Sequence, residues 1–146
     1  YVDHAAPGEV IAIDAGGAYV SMMGGAAATA AKLRGIAGIV VDGGVRDLGE
    51  IIDSGMDLFV KHAVPVSGRT RVRTAATQVP IKLEGVTVHP GDILVGDSTG
   101  VVCIPRARLQ EVFERADKAE AMDQRIFEHV KAGKGIGEAA RLAKGG

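Results

Sequence analysis

An adjacent arginine and aspartate, Arg46 and Asp47, have the clearest capacity for chemistry in this sequence. They follow the apolar run Ile39-Val40-Val41 and the pair Gly43-Gly44, a pattern that predicts a buried strand ending in a glycine turn before a helix. There, a guanidinium can hold a carboxylate by two hydrogen bonds, and a neighbouring aspartate can ligate a hard divalent cation. The alternative interpretation is a plain turn in which Asp47 caps the helix and Arg46 is solvated.

Two further glycines predict that backbone amides lie near this charged pair. Gly24 and Gly25 precede the alanine-rich residues 26–34, which favour a helix that ends at Gly35. The two glycines therefore lie at a helix N-terminus. Free amides at that position suit an anionic ligand, and glycine allows the ligand to approach closely.

The order of the predicted elements brings these residues to one edge of a sheet. Short apolar runs predict strands at residues 10–14, 36–41 and 58–60, and residues 48–54 predict a second helix. The first strand is expected to end at the turn Ala15-Gly16-Gly17. A β-α-β-α-β order predicts parallel pairing, with both helix starts on the same edge.

The second half of the sequence predicts a layer of short strands and then a long helix. Turn sequences separate strands at residues 80–83, 86–88, 92–95 and 100–104. Cys103 lies in the last of these strands and is expected to be buried rather than reactive. An apolar stripe over residues 108–130 predicts an amphipathic helix, which either packs across a subunit boundary or lies on its own sheet.

Three alternating arginines follow the parallel strands. The spacing of Arg69, Arg71 and Arg73 places them on one face if the segment is extended. Nucleic-acid binding could use such a face, but no aromatic residues accompany it. A solvated edge or a subunit contact is therefore the favoured interpretation.

Composition restricts the classes of protein further. The 146 residues include 47% hydrophobic but only 3% aromatic residues, which predicts one domain with an aliphatic core. The formal net charge of −1 favours neither nucleic acid nor an anionic membrane as a partner. The single cysteine excludes an internal disulfide. No membrane-length apolar run and no signal peptide are visible, so a cytoplasmic location is expected.

Four motifs in the same order together resemble the RraA-like family. They are GGAAATAAKLRG at residues 24–35, GIVVDGGVRD at 38–47, PGD at 90–92 and GDSTGVVCIP at 96–105. The family includes the regulator of ribonuclease activity A and the 4-hydroxy-4-methyl-2-oxoglutarate/4-carboxy-4-hydroxy-2-oxoadipate aldolases. The resemblance implies one RraA-like domain over residues 1–146, and the start at Tyr1 leads us to expect that an N-terminal portion is missing.

The resemblance also implies a fold, an assembly and a site. The fold is α/β, of the swivelling β/β/α type, with a parallel core, a short-stranded β layer and a long C-terminal helix. The assembly is a homotrimer or homohexamer with a pyruvate aldolase site between subunits. In that site Asp47 resembles the ligand of Mg²⁺ or Mn²⁺, and Arg46 resembles the pyruvate-binding arginine. Pyruvate-holding amides correspond to Gly24, Gly25, Ala26 and Ala27, and Glu120 corresponds to an acid from a neighbouring subunit.

These implications predict a lyase that cleaves 4-hydroxy-2-oxo acids. A cation near the 2-oxo oxygen and a second positive group at Arg46 would stabilise the enolate of pyruvate. The same enolate arises from oxaloacetate, so an oxaloacetate decarboxylase side activity is expected.

The sequence departs from the family aldolases at one position of this site. The resemblance implies an acid that orders metal-bound water at the position of Gly25, and the ribonuclease-regulator branch lacks this acid as well. Asp14, Asp42 or a neighbouring subunit could compensate. The alternative function is a non-catalytic regulator that binds a ribonuclease or another protein.

Overall fold

The computed structural model describes residues 1–145. Its strands are β1 (Val10–Met23), β2 (Gly38–Val45), β3 (Leu58–Ala63), β4 (Ile81–Leu83), β5 (Val86–Val88), β6 (Ile93–Asp97) and β7 (Gly100–Ile104). Its helices are α1 (Gly25–Leu33), α2 (Leu48–Asp53), α3 (Leu109–Lys131) and α4 (Ile136–Lys144).

The described chain forms two compact units. The first is Tyr1–Pro105, which contains all of the strands together with α1 and α2, and the second begins at Arg106 and contains α3 and α4. The predicted α/β class is confirmed, with a parallel sheet, short antiparallel strands and a long C-terminal helix.

A three-stranded parallel sheet positions the charged pair. Its order is β1-β2-β3, so β2 is the central strand. Ile39, Val41 and Val45 of β2 are at most 2% exposed, and Ile51 of α2 and Ala28 of α1 are fully buried. The core is therefore aliphatic, as predicted, and it fixes the carboxyl end of β2 against both helices.

Strand β1 is longer than the sequence predicted. It continues through the expected turn Ala15-Gly16-Gly17 as far as Met23. Gly16 and Gly17 have φ angles of 57° and 72°, which glycine adopts without strain. Asp14 pairs with Asp42 whereas the next partner, Gly43, pairs with Ala18. The intervening residues therefore form a bulge that shifts the register without ending the strand.

The predicted turn at Gly43-Gly44 is also wrong, because both glycines lie inside β2. A Cβ atom on Gly44 would lie 2.6 Å from the Val20 carbonyl oxygen and 2.6 Å from Val64 Cγ2. A Cβ atom on Gly43 would lie 2.8 Å from Ala15 Cβ. These glycines therefore serve close packing within the sheet rather than a change of chain direction.

The short strands pair as two antiparallel hairpins, β4-β5 and β6-β7, close to their predicted positions. Asp14 and Asp42 attach the first hairpin to the sheet, since their carboxylates accept the Lys82 and Glu84 backbone amides at 3.0 and 3.4 Å. Lys61 forms ion pairs with Asp42 and Glu84. The hydrogen bond to Glu84 is the largest cause that raises the pKa of Lys61, and the hydrogen bond to Asp42 adds to it, while desolvation, the second-largest effect, opposes the rise. Both aspartates therefore have a role in joining strands.

The three alternating arginines do not lie on an extended face, so that prediction is wrong. Residues 69–71 form a turn, in which Thr70 has a φ angle of 67° and Arg71 Nη1 donates to the Ser67 carbonyl at 3.1 Å. The turn is favoured because its local hydrogen bonds satisfy polar groups that an unpaired extended segment would leave without partners in the protein.

Cys103 is half-buried in β7, and burial is the main cause that raises the pKa of its thiol, with Asp92 adding to it. A raised pKa disfavours the nucleophilic thiolate, which agrees with the prediction of an unreactive cysteine.

In the second unit, α3 and α4 pack against each other. Ala139 and Ala143 of α4 are buried, whereas no residue of α3 is. The stripe that the sequence predicted on α3 includes Phe113, which is 54% exposed. None of the helices in the described residues is long and apolar enough to cross a membrane.

Candidate functional site

The charged pair and the helix start meet at the carboxyl end of the central strand. Arg46 and Asp47 directly follow β2, while Gly24 directly follows the neighbouring strand β1 and begins α1. The Arg46 backbone amide donates to the Met23 carbonyl at 3.1 Å, which holds the two strand ends together. The predicted juxtaposition of the two helix starts is therefore confirmed.

Asp47 has an unusual backbone conformation at this junction. Its φ and ψ angles of 60° and 38° are left-handed, a region that costs a non-glycine residue about 1–3 kcal/mol. It occupies the N-cap position of α2, yet its side chain makes no capping hydrogen bond. The interpretation of Asp47 as a simple cap is therefore wrong, and its carboxylate is directed elsewhere.

The Asp47 carboxylate faces the start of α1. Its Oδ2 accepts the backbone amide of Gly25 at 3.3 Å and lies 3.2 Å from Arg46 Nη1. The Asp47 side chain is 30% exposed and that of Arg46 is 47% exposed. The helix start thus already attracts one carboxylate, and solvent reaches both members of the pair.

Gly24 provides the space for this arrangement. A Cβ atom there would collide with Asp47 Oδ2 and would lie 3.1 Å from Arg46 Nε. The φ angle of Gly24 is −144°, which any residue can adopt. A side chain at this position would therefore displace the Asp47 carboxylate, although the backbone conformation does not require glycine.

The other predicted site residues differ in their surroundings. The amides of Ala27 and Ala28 both donate to the Gly24 carbonyl, at 3.1 and 3.2 Å, so the Ala27 amide is engaged inside α1. Ala26 lies in the same first turn. Glu120 lies on α3 in the second unit, where its side chain is exposed.

Sequence reasoning did not identify Glu50 as a site residue. Its carboxylate oxygen Oε2 lies where a Cβ atom on Gly25 would be, and Glu50 Cβ lies 2.9 Å from the same point. The signal was present as the spacing Asp47-x-x-Glu50, which places both carboxylates in the first turn of a helix. It was missed because only the fold brings Gly25 to α2.

A separate cavity of about 940 Å³ lies in the first unit. Apolar residues of β2, β3, α2 and the hairpins form most of its lining, which does not include Arg46, Asp47, Gly24 or Gly25. Its charged residues Asp42, Lys61 and Glu84 pair with one another. A binding site needs polar groups that converge on the ligand, and volume alone is not sufficient. We therefore place the candidate site at Arg46 and Asp47.

The fold and the site together define an α/β protein with an arginine–aspartate pair at the carboxyl end of its central strand. The family model described as RraA-like, Aldolase/RraA, matches residues 1–103. The chain therefore belongs to the RraA-like family.

The curated relatives include one that is named as an aldolase. The chain is 35% identical to protein DlpA of Legionella pneumophila over 95% of its own length and 23% of that protein. It is 34% identical to the 4-hydroxy-4-methyl-2-oxoglutarate aldolase of Thermus thermophilus over 67% of its own length and 60% of that protein. The chain thus spans less than two thirds of the length of these curated relatives.

Solved structures show the same fold. An uncharacterised protein from Pseudomonas syringae pv. tomato superposes with a TM-score of 0.92 at 31% identity, over 97% of this chain and 67% of that one. Streptomyces coelicolor RraAS2, described as an unusual member of the RNase ES inhibitor RraA family, gives a TM-score of 0.78 at 30% identity. That match covers 84% of this chain and 63% of that one.

Proposed function

We propose that this protein is a divalent-metal-dependent lyase that cleaves 4-hydroxy-2-oxo acids such as 4-hydroxy-4-methyl-2-oxoglutarate to release pyruvate. The observation that carries the proposal is the Asp47 carboxylate, which is held between the Gly25 amide and the Arg46 guanidinium at the end of β2. The aldolase name of a relative that is 34% identical supports the same reaction class.

The residues of the site fit Mg²⁺ or Mn²⁺ in the chemistry of their donors. Gly24 leaves room for the carboxylate of Asp47, which offers oxygen ligands. Residues 1–145 contain no group of three or more side chains that could hold a metal. Mg²⁺ needs no such group, because it commonly binds one or two carboxylates together with water and substrate oxygens.

Each residue of the site would then have a separate role. Arg46 binds and orients the substrate carboxylate through its planar guanidinium. Asp47 would hold the cation, whose positive charge would stabilise negative charge on the 2-oxo oxygen of the substrate. The N-terminal end of α1 would add the positive end of its helix dipole beside the same negative charge. Oxaloacetate presents the same 2-oxo acid group, so its decarboxylation is expected as a side activity.

Oxaloacetate provides the direct test. The intact protein is incubated with oxaloacetate and Mg²⁺, and pyruvate is followed with lactate dehydrogenase and NADH. We expect turnover that EDTA abolishes and Mg²⁺ or Mn²⁺ restores. Asp47→Ala should lose this activity, and Arg46→Met should reduce it about 100-fold to 1,000-fold.

Asp53→Ala is the matched control, because Asp53 is an exposed carboxylate on the same helix as Glu50. It should retain wild-type turnover. The proposal is wrong if the intact protein shows no metal-dependent turnover of oxaloacetate or of a 4-hydroxy-2-oxo acid, or if Asp47→Ala is as active as wild type.

A second candidate function is regulation of a ribonuclease through protein binding. It is favoured by the likeness to RraAS2, which belongs to a family of RNase inhibitors, and by the absence of a carboxylate side chain at Gly25. Inhibition of a ribonuclease by the intact protein, unchanged in the Asp47→Ala variant, would support this function over the lyase.

A further inference from the structure

We infer that Glu50 is the second acidic residue of the site and that it orders water bound to the metal beside Asp47. The inference rests on the proposed metal-dependent function, and it concerns a carboxylate that the sequence motifs do not identify. Glu50 is thus a positioning residue, which acts on the cation through water.

The first argument is that both carboxylates converge on one residue. Asp47 Oδ2 accepts the Gly25 amide at 3.3 Å, and Glu50 Oε2 lies against the Cα atom of the same glycine. Asp47 and Glu50 come from one helix start, whereas Gly25 comes from another. The packing of α1 against α2 therefore brings both carboxylates beside Gly25.

The second argument concerns charge. Arg46 forms an ion pair with Asp47, but no hydrogen bond or ion pair engages the Glu50 carboxylate among the residues that the structure describes. One guanidinium and two carboxylates leave the cluster with a net negative charge. Divalent cations such as Mg²⁺ prefer carboxylate oxygens in a negatively charged environment, so this cluster favours such an ion.

The third argument is the reason for glycine at position 25. Gly25 is the first residue of α1, and its backbone is not in the left-handed region, so its conformation does not require glycine. A side chain at residue 25 would meet Glu50 Oε2 and would lie 2.9 Å from Glu50 Cβ, which cannot rotate away. Gly25 and Glu50 are thus coupled, because a carboxylate can enter this space from residue 50 only if residue 25 has no side chain.

Mn²⁺ affinity tests this inference without depending on turnover. The dissociation constant of Mn²⁺ is measured on the intact protein by the electron paramagnetic resonance signal of the free ion. Glu50→Gln, which keeps the shape and removes the charge, should weaken binding about 10-fold to 100-fold, the range typical of outer-shell partners. Asp53→Asn, on the same helix, should leave the affinity unchanged.

A relocation variant distinguishes a carboxylate at the metal from a structural role of Glu50. The double variant Gly25→Asp/Glu50→Gly moves the acid to α1 and also removes the Glu50 Cβ atom that would obstruct it. It should bind Mn²⁺ more tightly than Glu50→Gly alone. A structural role would not produce this recovery, because the side chain at residue 50 is still absent.

The outcomes separate the two proposals. If wild type binds no Mn²⁺, both the metal-dependent function and the role of Glu50 are wrong. If wild type binds Mn²⁺ and Glu50→Gln binds it equally well, only the role of Glu50 is wrong. If the double variant binds no better than Glu50→Gly, residues 25 and 50 are not alternative sources of one carboxylate, and the inference is also overturned.

Discussion

Gly24 shows how the absence of one side chain can determine a site. The space beside its Cα atom is occupied by Asp47 Oδ2, and Arg46 Nε lies 3.1 Å from the point where a Cβ atom would be. Both charged groups would have to move to accommodate a single methyl group. The relative position of the Arg46 guanidinium and the Asp47 carboxylate therefore depends on Gly24, which has no side chain.

Gly24→Ala should therefore impair the site without unfolding the protein. A displacement of catalytic groups by about 1 Å can reduce turnover about 100-fold, and we expect a loss of that order in oxaloacetate decarboxylation. Far-ultraviolet circular dichroism and the unfolding midpoint should remain close to those of wild type. The measurement is pyruvate release at saturating Mg²⁺.

Gly49→Ala is the matched control for this substitution. A Cβ atom on Gly49 has no neighbour within 4 Å, although Gly49 is only two residues from Asp47. Gly49→Ala should keep full activity, and alanine should also favour helix α2. Equal activity of Gly24→Ala and Gly49→Ala would show that the crowding at Gly24 does not constrain Arg46 or Asp47.

The sequence was sufficient to predict Arg46 and Asp47 as a charged pair, because an apolar run followed by Arg-Asp is a local pattern. It could not predict Glu50 as a member of the site, since the role of Glu50 depends on its contact with Gly25, which is distant in the sequence. Nor could it predict the left-handed conformation of Asp47, which turns its carboxylate away from its own helix.

The same distinction applies to the helices and strands, some of which depend on local sequence and others on distant residues. Alanine content and a following glycine predicted α1 to within about one residue at its start and end. The course of β2 through Gly43 and Gly44 could not be predicted, because the residues that crowd Gly44 are Val20 and Val64, which are distant in the sequence. Adjacent glycines favour a turn on local grounds, and packing in the sheet overrides that preference.

Gly44→Ala should destabilise the sheet for this reason. Its Cβ atom would lie 2.6 Å from both the Val20 carbonyl oxygen and Val64 Cγ2, and overpacking of this kind costs about 1–3 kcal/mol. Urea unfolding of the intact protein measures this loss as a lower midpoint with an unchanged slope. The backbone atoms of β1 would have to move to relieve the contact.

Gly38→Ala provides a control in the same strand. Its Cβ atom would lie 3.5 Å from the Asp57 carbonyl oxygen, an ordinary contact. We expect the free energy of unfolding to change by no more than about 0.5 kcal/mol. If Gly44→Ala is as stable as Gly38→Ala, glycine at position 44 is not required for close packing.

For the protein as a whole, the prediction to test is that Glu120 contributes to the site of a neighbouring subunit. Glu120 lies on α3, a helix that has no buried residue and exposes Phe113 and Phe127. Exposed aromatic side chains on a long helix are typical of surfaces that associate. We therefore retain the prediction of a trimer or hexamer in which Glu120 reaches the site of a neighbouring subunit.

Mixing two inactive variants tests this shared site. Asp47→Asn and Glu120→Gln should each lose metal-dependent turnover as pure oligomers, measured by pyruvate release from oxaloacetate. After the two are unfolded together and refolded at equal amounts, half of the subunits supply Asp47 and half supply Glu120. About a quarter of the sites should then hold both native residues and should restore about a quarter of the wild-type activity.

As a control for subunit exchange, the same two variants are mixed without being unfolded. This mixture should remain inactive until subunits exchange between the oligomers. Size-exclusion chromatography with light scattering should give the mass of three or six chains for the wild type and for the refolded mixture. The absence of recovery in refolded oligomers of correct mass would mean that Asp47 and Glu120 do not act across a subunit boundary. Full activity of Glu120→Gln alone would exclude Glu120 from the site altogether, and Asp47, Glu50 and Arg46 would then account for its charged side chains.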